Sequence, residues 1–280
     1  DRALSEWLFK QEHIILKDAR LTWNDEKHAA EPLQFSNVLL ELRTDQGRSQ
    51  LDAEITLPDL YGEQLIVNMD IYGHILTTDW NGSVFVEGRK LKPDTILEQF
   101  PYRVESGMAD LKLWTNWQQA RLTDFNAKID YSNFTIVANS ESLAVSQTRL
   151  GIQGQRQPDK NWLLNTDIQE LVTANGSWPK TQLQFSTPGK TNATQYNVWS
   201  SYLKLDDIGG LLTGIPELSA AQDNIDLALL QGELTDFSVK LDFDKLGELW
   251  INSSFRDLGF SNPANDLRIT GLDGNFRLHD

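Results

Sequence analysis

The ten residues from Leu122 to Tyr131, Leu-Thr-Asp-Phe-Asn-Ala-Lys-Ile-Asp-Tyr, return from Leu234 to Phe243 as Leu-Thr-Asp-Phe-Ser-Val-Lys-Leu-Asp-Phe. Six positions are identical, and three of the other four exchange one apolar residue for another. Internal repetition constrains architecture before any single residue does. The repeated unit also alternates. Phe125, Ala127, Ile129 and Tyr131 share one parity, and Asn126, Lys128 and Asp130 the other. A period of two belongs to a strand with one apolar face, because successive side chains leave opposite sides of a pleated backbone. A chain that uses such a strand twice is expected to build one kind of β surface repeatedly.

Most of the chain follows the same rule. Residues 50–57 set Leu51, Ala53, Ile55 and Leu57 against Gln50, Asp52, Glu54 and Thr56. Residues 64–72 set Leu65, Val67, Met69 and Ile71 against Asn68 and Asp70. Further strands are predicted near 13–23, 33–43, 79–87, 107–115, 119–131, 134–139, 143–154, 161–168, 181–187, 194–203, 231–243, 248–258 and 266–278. Turn signals such as Thr44-Asp-Gln-Gly47 and Pro58-Asp-Leu-Tyr-Gly62 recur at the ~8–12-residue rhythm of antiparallel sheets. Helix is predicted only near 1–11, 92–100 and 206–229, the last broken at Gly214-Ile-Pro216. The expected fold is all-β: a long, curved antiparallel sheet with a few short helices. The expected organisation is one continuous segment, 1–280, holding two diverged repeats at approximately 50–160 and 161–280. The absence of an initial methionine reads as a piece of a longer chain.

Apolar residues make up 40% of the chain, enough for a folded core and too many for disorder. The net charge of −15 is spread without acidic runs. Phosphate binding needs clustered Lys and Arg, so nucleic acid is an unsuitable partner. No stretch approaches the ~20 apolar residues of a membrane-spanning helix. Cysteine is absent, which fits a bacterial envelope protein or a cytosolic one.

The residues for catalysis are not arranged for it. His13, His28, His74 and His279 are scattered, and no metal-ligand spacing, phosphate-binding glycine loop or nucleophile motif is present. No catalytic residue, metal site or cofactor is therefore assigned, and the chain is read as not an enzyme. Two of the 40 carboxylates converging for glycoside cleavage is the weakest alternative. Nine tryptophans allow another, since exposed indoles stack on sugar rings; Trp114 and Trp117 are the pair best spaced for it. Packing is the commoner use of such residues.

Four segments carry a resemblance: Trp7-Leu-Phe-Lys-Gln11, Ile15-Leu-Lys-Asp-Ala-Arg-Leu-Thr-Trp23, Ile55-Thr-Leu-Pro58 and Asp110-Leu-Lys-Leu-Trp114. Together they are similar to the YhdP branch of the AsmA-like envelope proteins, over most of the chain. The resemblance implies a parent anchored in the inner membrane and extending through the periplasm as an open β groove, or β-taco. It implies phospholipid as cargo between inner and outer membrane. It implies no active-site residues, so none are carried over. The candidates for the groove lining are Leu51, Ala53, Ile55, Leu65, Val67, Met69, Leu111, Leu113, Ala127, Ile129, Val239 and Leu241. A periplasmic carbohydrate-binding or scaffolding β domain is the alternative, because period two does not distinguish an open groove from a filled core.

Overall fold

Alternating strands must find partners for their backbone N–H and C=O groups, and here they find them in one another. The structure, a computed structural model, describes residues 11–23, 32–75, 77–93, 103–139, 141–189, 195–214, 226–242, 250–262 and 267–279. Sixteen strands follow in chain order. They are β1 (His13–Trp23), β2 (Leu33–Asp45), β3 (Arg48–Thr56), β4 (Gln64–Tyr72), β5 (Asn81–Leu91), β6 (Arg103–Glu105), β7 (Met108–Gln118) and β8 (Arg121–Ala138). The second half holds β9 (Glu141–Arg156), β10 (Trp162–Thr173), β11 (Gly176–Ser177), β12 (Thr181–Ser186), β13 (Gln195–Lys204), β14 (Gln231–Asp242), β15 (Trp250–Asn262) and β16 (Leu267–His279).

All sixteen belong to one open antiparallel sheet. The order is β1-β2-β3-β4-β5-β7-β8-β9-β10-β12-β13-β14-β15-β16, with β6 on β8 and β11 on β10. Nearly every strand pairs with its neighbour in sequence, the meander that short turns produce. The β2–β3 turn places Gln46 and Gly47 at φ 45° and 81°, and such paired positive angles match the twist of the flanking strands. Among the described residues β1 and β16 each pair on one side only, so the sheet does not close into a barrel.

The chain divides into two compact units. The first holds Asp1–Thr95 and Met108–Ile129, the second Ile96–Gly107 and Asp130–Asp280, so β8 contributes to both. Five shifts of strand register fall beside Asp18, Asn37, Lys90, Asp236 and Asp257, all at positive φ. Each is a bulge, which adds a residue to one strand and increases its local twist. Carboxylates serve two of them. The Lys90 amide donates to Asp110 Oδ1 at 2.8 Å, and the Asp257 amide to Asp273 Oδ1 at 2.8 Å.

The structure departs from the sequence expectation in a few elements. The predicted strands 119–131 and 134–139 are one strand, β8; Asn133 absorbs the turn signal at φ 55° without ending the ladder. Within the predicted helix 206–229, helix α1 covers Leu205–Leu212 and a 3₁₀ turn covers Leu227–Leu229. Most of the helix predicted over 92–100, and nearly all of that over 1–11, lies outside the described residues. The two copies of the ten-residue motif lie in β8 and β14 as far as Asp242, and Phe243 lies outside the described residues.

Candidate functional site: cross-strand rungs of apolar residues

Residues directly opposite in an antiparallel ladder put their side chains on the same face. Following the register strand by strand therefore shows what each face presents. In the first unit, Leu16, Leu40, Ala53, Val67, Val86 and Leu113 stand opposite one another in turn across β1, β2, β3, β4, β5 and β7. A second rung runs Ile14, Leu42, Leu51, Met69, Val84 and Thr115. A third runs Ile55, Leu65, Gly88 and Leu111, and a fourth Ser49, Ile71, Gly82 and Trp117. No charged residue occupies any of the four. At ~4.8 Å per strand, a six-strand rung is about 24 Å long.

The second unit repeats the device. Gly154, Leu164, Phe185, Val198, Val239, Ile251 and Leu278 form one rung across seven strands. Ile152, Thr166, Leu183, Ser200 and Phe237 form the next.

The opposite faces are mixed but more polar, and in the first unit carry the charged residues of these strands. In the first unit Glu41, Asp52, Asn68, Phe85 and Trp114 share a row, and Gln50, Asp70, Ser83 and Asn116 another. Arg48 grips Asp70 through two hydrogen bonds of 2.8 and 2.7 Å, and these hold the Asp70 carboxyl below its usual range. In the second unit the matching row is Gln153, Asn165, Gln184, Trp199, Ser238, Asn252 and Arg277.

Each sequence candidate can now be placed. Leu51, Ala53, Ile55, Leu65, Val67, Met69, Leu111 and Leu113 all lie on the rungs of the first unit. Asn116 Nδ2 donates to Asp124 Oδ1 at 2.6 Å on the polar face, so Ala127 and Ile129, of the other parity on β8, face the rungs. Val239 sits in the long rung of the second unit. Leu241 follows two residues on, opposite Tyr196 in the backbone ladder, and its side chain lies outside the described residues. Ala53 and Ala127 are buried, at 8% and 5% exposure, and form floor rather than surface. The other described candidates are half-buried, and Leu278 at the end of the long rung is 48% exposed. A filled core would bury these side chains; half-burial leaves each rung with an accessible apolar surface.

Sequence reading missed Val84 and Val86, because Phe85 between them breaks the alternation. Phe85 is on the polar face, where its ring lies 5.1 Å from that of Trp114. The Trp114–Trp117 pair does not form one surface. Three residues apart on a strand, the two indoles leave opposite faces: Trp114 with the polar row, Trp117 with the apolar one. Trp117 instead meets Trp80, centroids 5.6 Å apart.

A polar cluster that sequence did not flag lies in the second unit. Asp207, at 4% exposure, accepts hydrogen bonds from Thr173 Oγ1 (2.9 Å), Asn175 Nδ2 (2.8 Å) and Trp178 Nε1 (2.5 Å). Asp206 Oδ2 accepts from the Gly232 amide at 2.9 Å. These bonds pin α1, which packs on β9, β13 and β14. Gly209 lets the 3₁₀ turn come close, since a Cβ there would lie 2.5 Å from the Leu227 carbonyl oxygen. The Tyr202 ring meets Trp178 edge-on, and its hydroxyl donates to Glu233 at 2.9 Å. Burial, then the Glu233 carboxylate, pushes that hydroxyl above the usual phenol range.

Among the described residues no group of His, Cys, Asp or Glu is placed to hold a metal ion, and no helix is long and apolar enough to cross a membrane. No curated protein and no solved structure matches the chain. The YhdP protein family matches it over residues 1–280. The chain belongs to the YhdP protein family, a bacterial envelope family associated with bridge-like lipid transport.

Proposed function

We propose that this chain is a segment of a periplasmic conduit that carries phospholipid between the inner and outer membranes, its parent being attached to the inner membrane. The observation that carries the reading is a set of charge-free rungs, two of them crossing β1, β2, β3, β4, β5 and β7, most of whose candidate side chains are half-buried, on a face whose reverse carries the charged residues. Acyl chains need such a surface and little else. Each CH₂ taken from water contributes about 0.8 kcal/mol, so a two-tailed lipid is held without a specific polar contact. Because a rung presents apolar side chains from strand to strand, a lipid can shift along it without a large change in contact. The lining is assigned to Leu51, Ile55, Leu65, Val67, Met69, Leu111, Leu113, Ile129 and Val239. The reading needs no catalytic group and no cofactor. Trp114 and Trp117 lie on opposite faces, so this pair offers no shared stacking surface to a sugar.

The test is a photo-crosslinking amino acid at Val67 or Leu111, with Asn68 on the polar face as control. Ultraviolet exposure in cells is expected to attach phospholipid at the first two positions and none at Asn68. Equal capture at all three positions, or capture of oligosaccharide alone, refutes the conduit.

A further inference from the structure

The outermost two rungs of the first unit, at opposite ends of its strands, differ chemically. At one end the row Ile55, Leu65, Gly88 and Leu111 is sealed by Leu91, whose side chain occupies the space over Gly88; a Cβ on Gly88 would lie 2.5 Å from Leu91 Cδ1. Leu91 is buried, and so is Ala109 opposite it. This rim is aliphatic.

The other end is aromatic. Trp117 stands opposite Gly82, whose bare backbone packs so closely on β4 that a Cβ would lie 2.3 Å from the Asp70 carbonyl oxygen. The Trp117 indole N–H donates to Thr115 Oγ1 at 2.9 Å, and that hydroxyl donates to the Val84 carbonyl at 3.2 Å. Trp80 lies against Trp117, and both are half-buried. Half-buried indoles favour a boundary with hydrocarbon on one side and water on the other, and membrane proteins concentrate them at that depth.

We propose that Trp80 and Trp117 are positioning residues for the glycerol and head-group end of a bound lipid, whose chains then run along the strands toward Leu91. The inference rests on the conduit reading and adds a polarity to it. The dimensions agree. Ser49 to Ile55 spans six residue steps, about 20 Å at ~3.3 Å each. One acyl chain fills half of a ~30 Å bilayer core, about 15 Å. A chain anchored at the indoles therefore ends before the aliphatic seal.

The experiment uses the purified full-length protein with vesicles of phosphatidylethanolamine. A trace of the lipid carries a diazirine either on the head group or at the acyl terminus, and labelled peptides are mapped by mass spectrometry. The head-group probe is expected to label 73–82 and 115–121 about tenfold more than 55–65 and 88–92, the ratio that about 1.4 kcal/mol produces. The acyl probe should show the reverse preference. Replacing both indoles with alanine should bring the head-group ratio close to one, and replacing both with tyrosine should preserve it. If the alanine variant fails to fold, the labelling polarity of the unmodified protein decides. Labelling on the rungs with inverted or equal polarity overturns this proposal and leaves the conduit standing. Labelling by neither probe overturns both.

Discussion

At the scale of single residues, the demanding position is Asp207. A carboxylate with 4% exposure is tolerated because three side-chain donors surround it. Asp207→Ala would strand the buried Trp178 indole N–H, whereas Thr173 Oγ1 keeps the Gly176 carbonyl and the exposed Asn175 keeps the Asp206 carbonyl. An orphaned buried donor costs about 1–3 kcal/mol, so a loss of roughly 2 kcal/mol is expected, seen as a lower midpoint in urea unfolding. Asp207→Asn keeps an acceptor and should lose less. An unchanged midpoint in the alanine variant would mean that water serves the donors and the cluster is not a stabilising centre. Sequence did not single out this residue. An aspartate at the start of a helix reads as an ordinary solvated one, and its partners Thr173, Asn175 and Trp178 are about thirty residues away.

At the scale of elements, β5 shows where pattern reading succeeds and where it stops. Its boundaries were set about two residues early at the start and four at the end, because Gly88-Arg-Lys-Leu91 lacks alternation. The bulge at Lys90 explains that: an inserted residue shifts the parity of everything after it. Phe85 and Trp114 broke two otherwise regular alternations, and both became legible once the register paired them on the polar face. Gly82 supplies the test of this strand. In Gly82→Ala the new Cβ would lie 2.3 Å from the Asp70 carbonyl oxygen, a backbone atom that cannot swing aside. The β4–β5 ladder must then open locally, at about 1–3 kcal/mol. Amide hydrogen exchange at residues 70–72 should quicken relative to residues 64–66 at the far end of β4. Uniform exchange along β4 would argue against so close an approach.

At the scale of the whole molecule, each unit carries its own rungs, so a charge placed on them should act alike in either. Val67→Asp and Ile129→Asp test the first unit, and Val239→Asp the second. These positions are half-buried, so the carboxylate can reach water and escape most of the several-kcal/mol cost of burial. Near-native circular dichroism is expected from all three, with lipid capture at a photo-crosslinker in the same unit reduced at least about tenfold, the effect of about 1.4 kcal/mol of lost contact. Melting at room temperature would show a closed core. Intact capture would show that the rung is not a path.

The amino-acid sequence by itself determined the class of the fold, because period two is a local property that each segment carries without knowing its neighbours. It also determined which residues are apolar within each strand. The tertiary structure decided what those strands present together. Register is a relation between segments, fixed by turns, by bulges at residues such as Asn37 and Asp236, and by pairings outside any local window. Only after it is fixed do Leu16, Leu40, Ala53, Val67, Val86 and Leu113 become one line, and only then do Trp114 and Trp117 part to opposite faces. Exposure was decided there too. Whether an alternating apolar residue is covered depends on what packs over its face, and α1, which lies on β9, β13 and β14, is held there by the distant partners of Asp207.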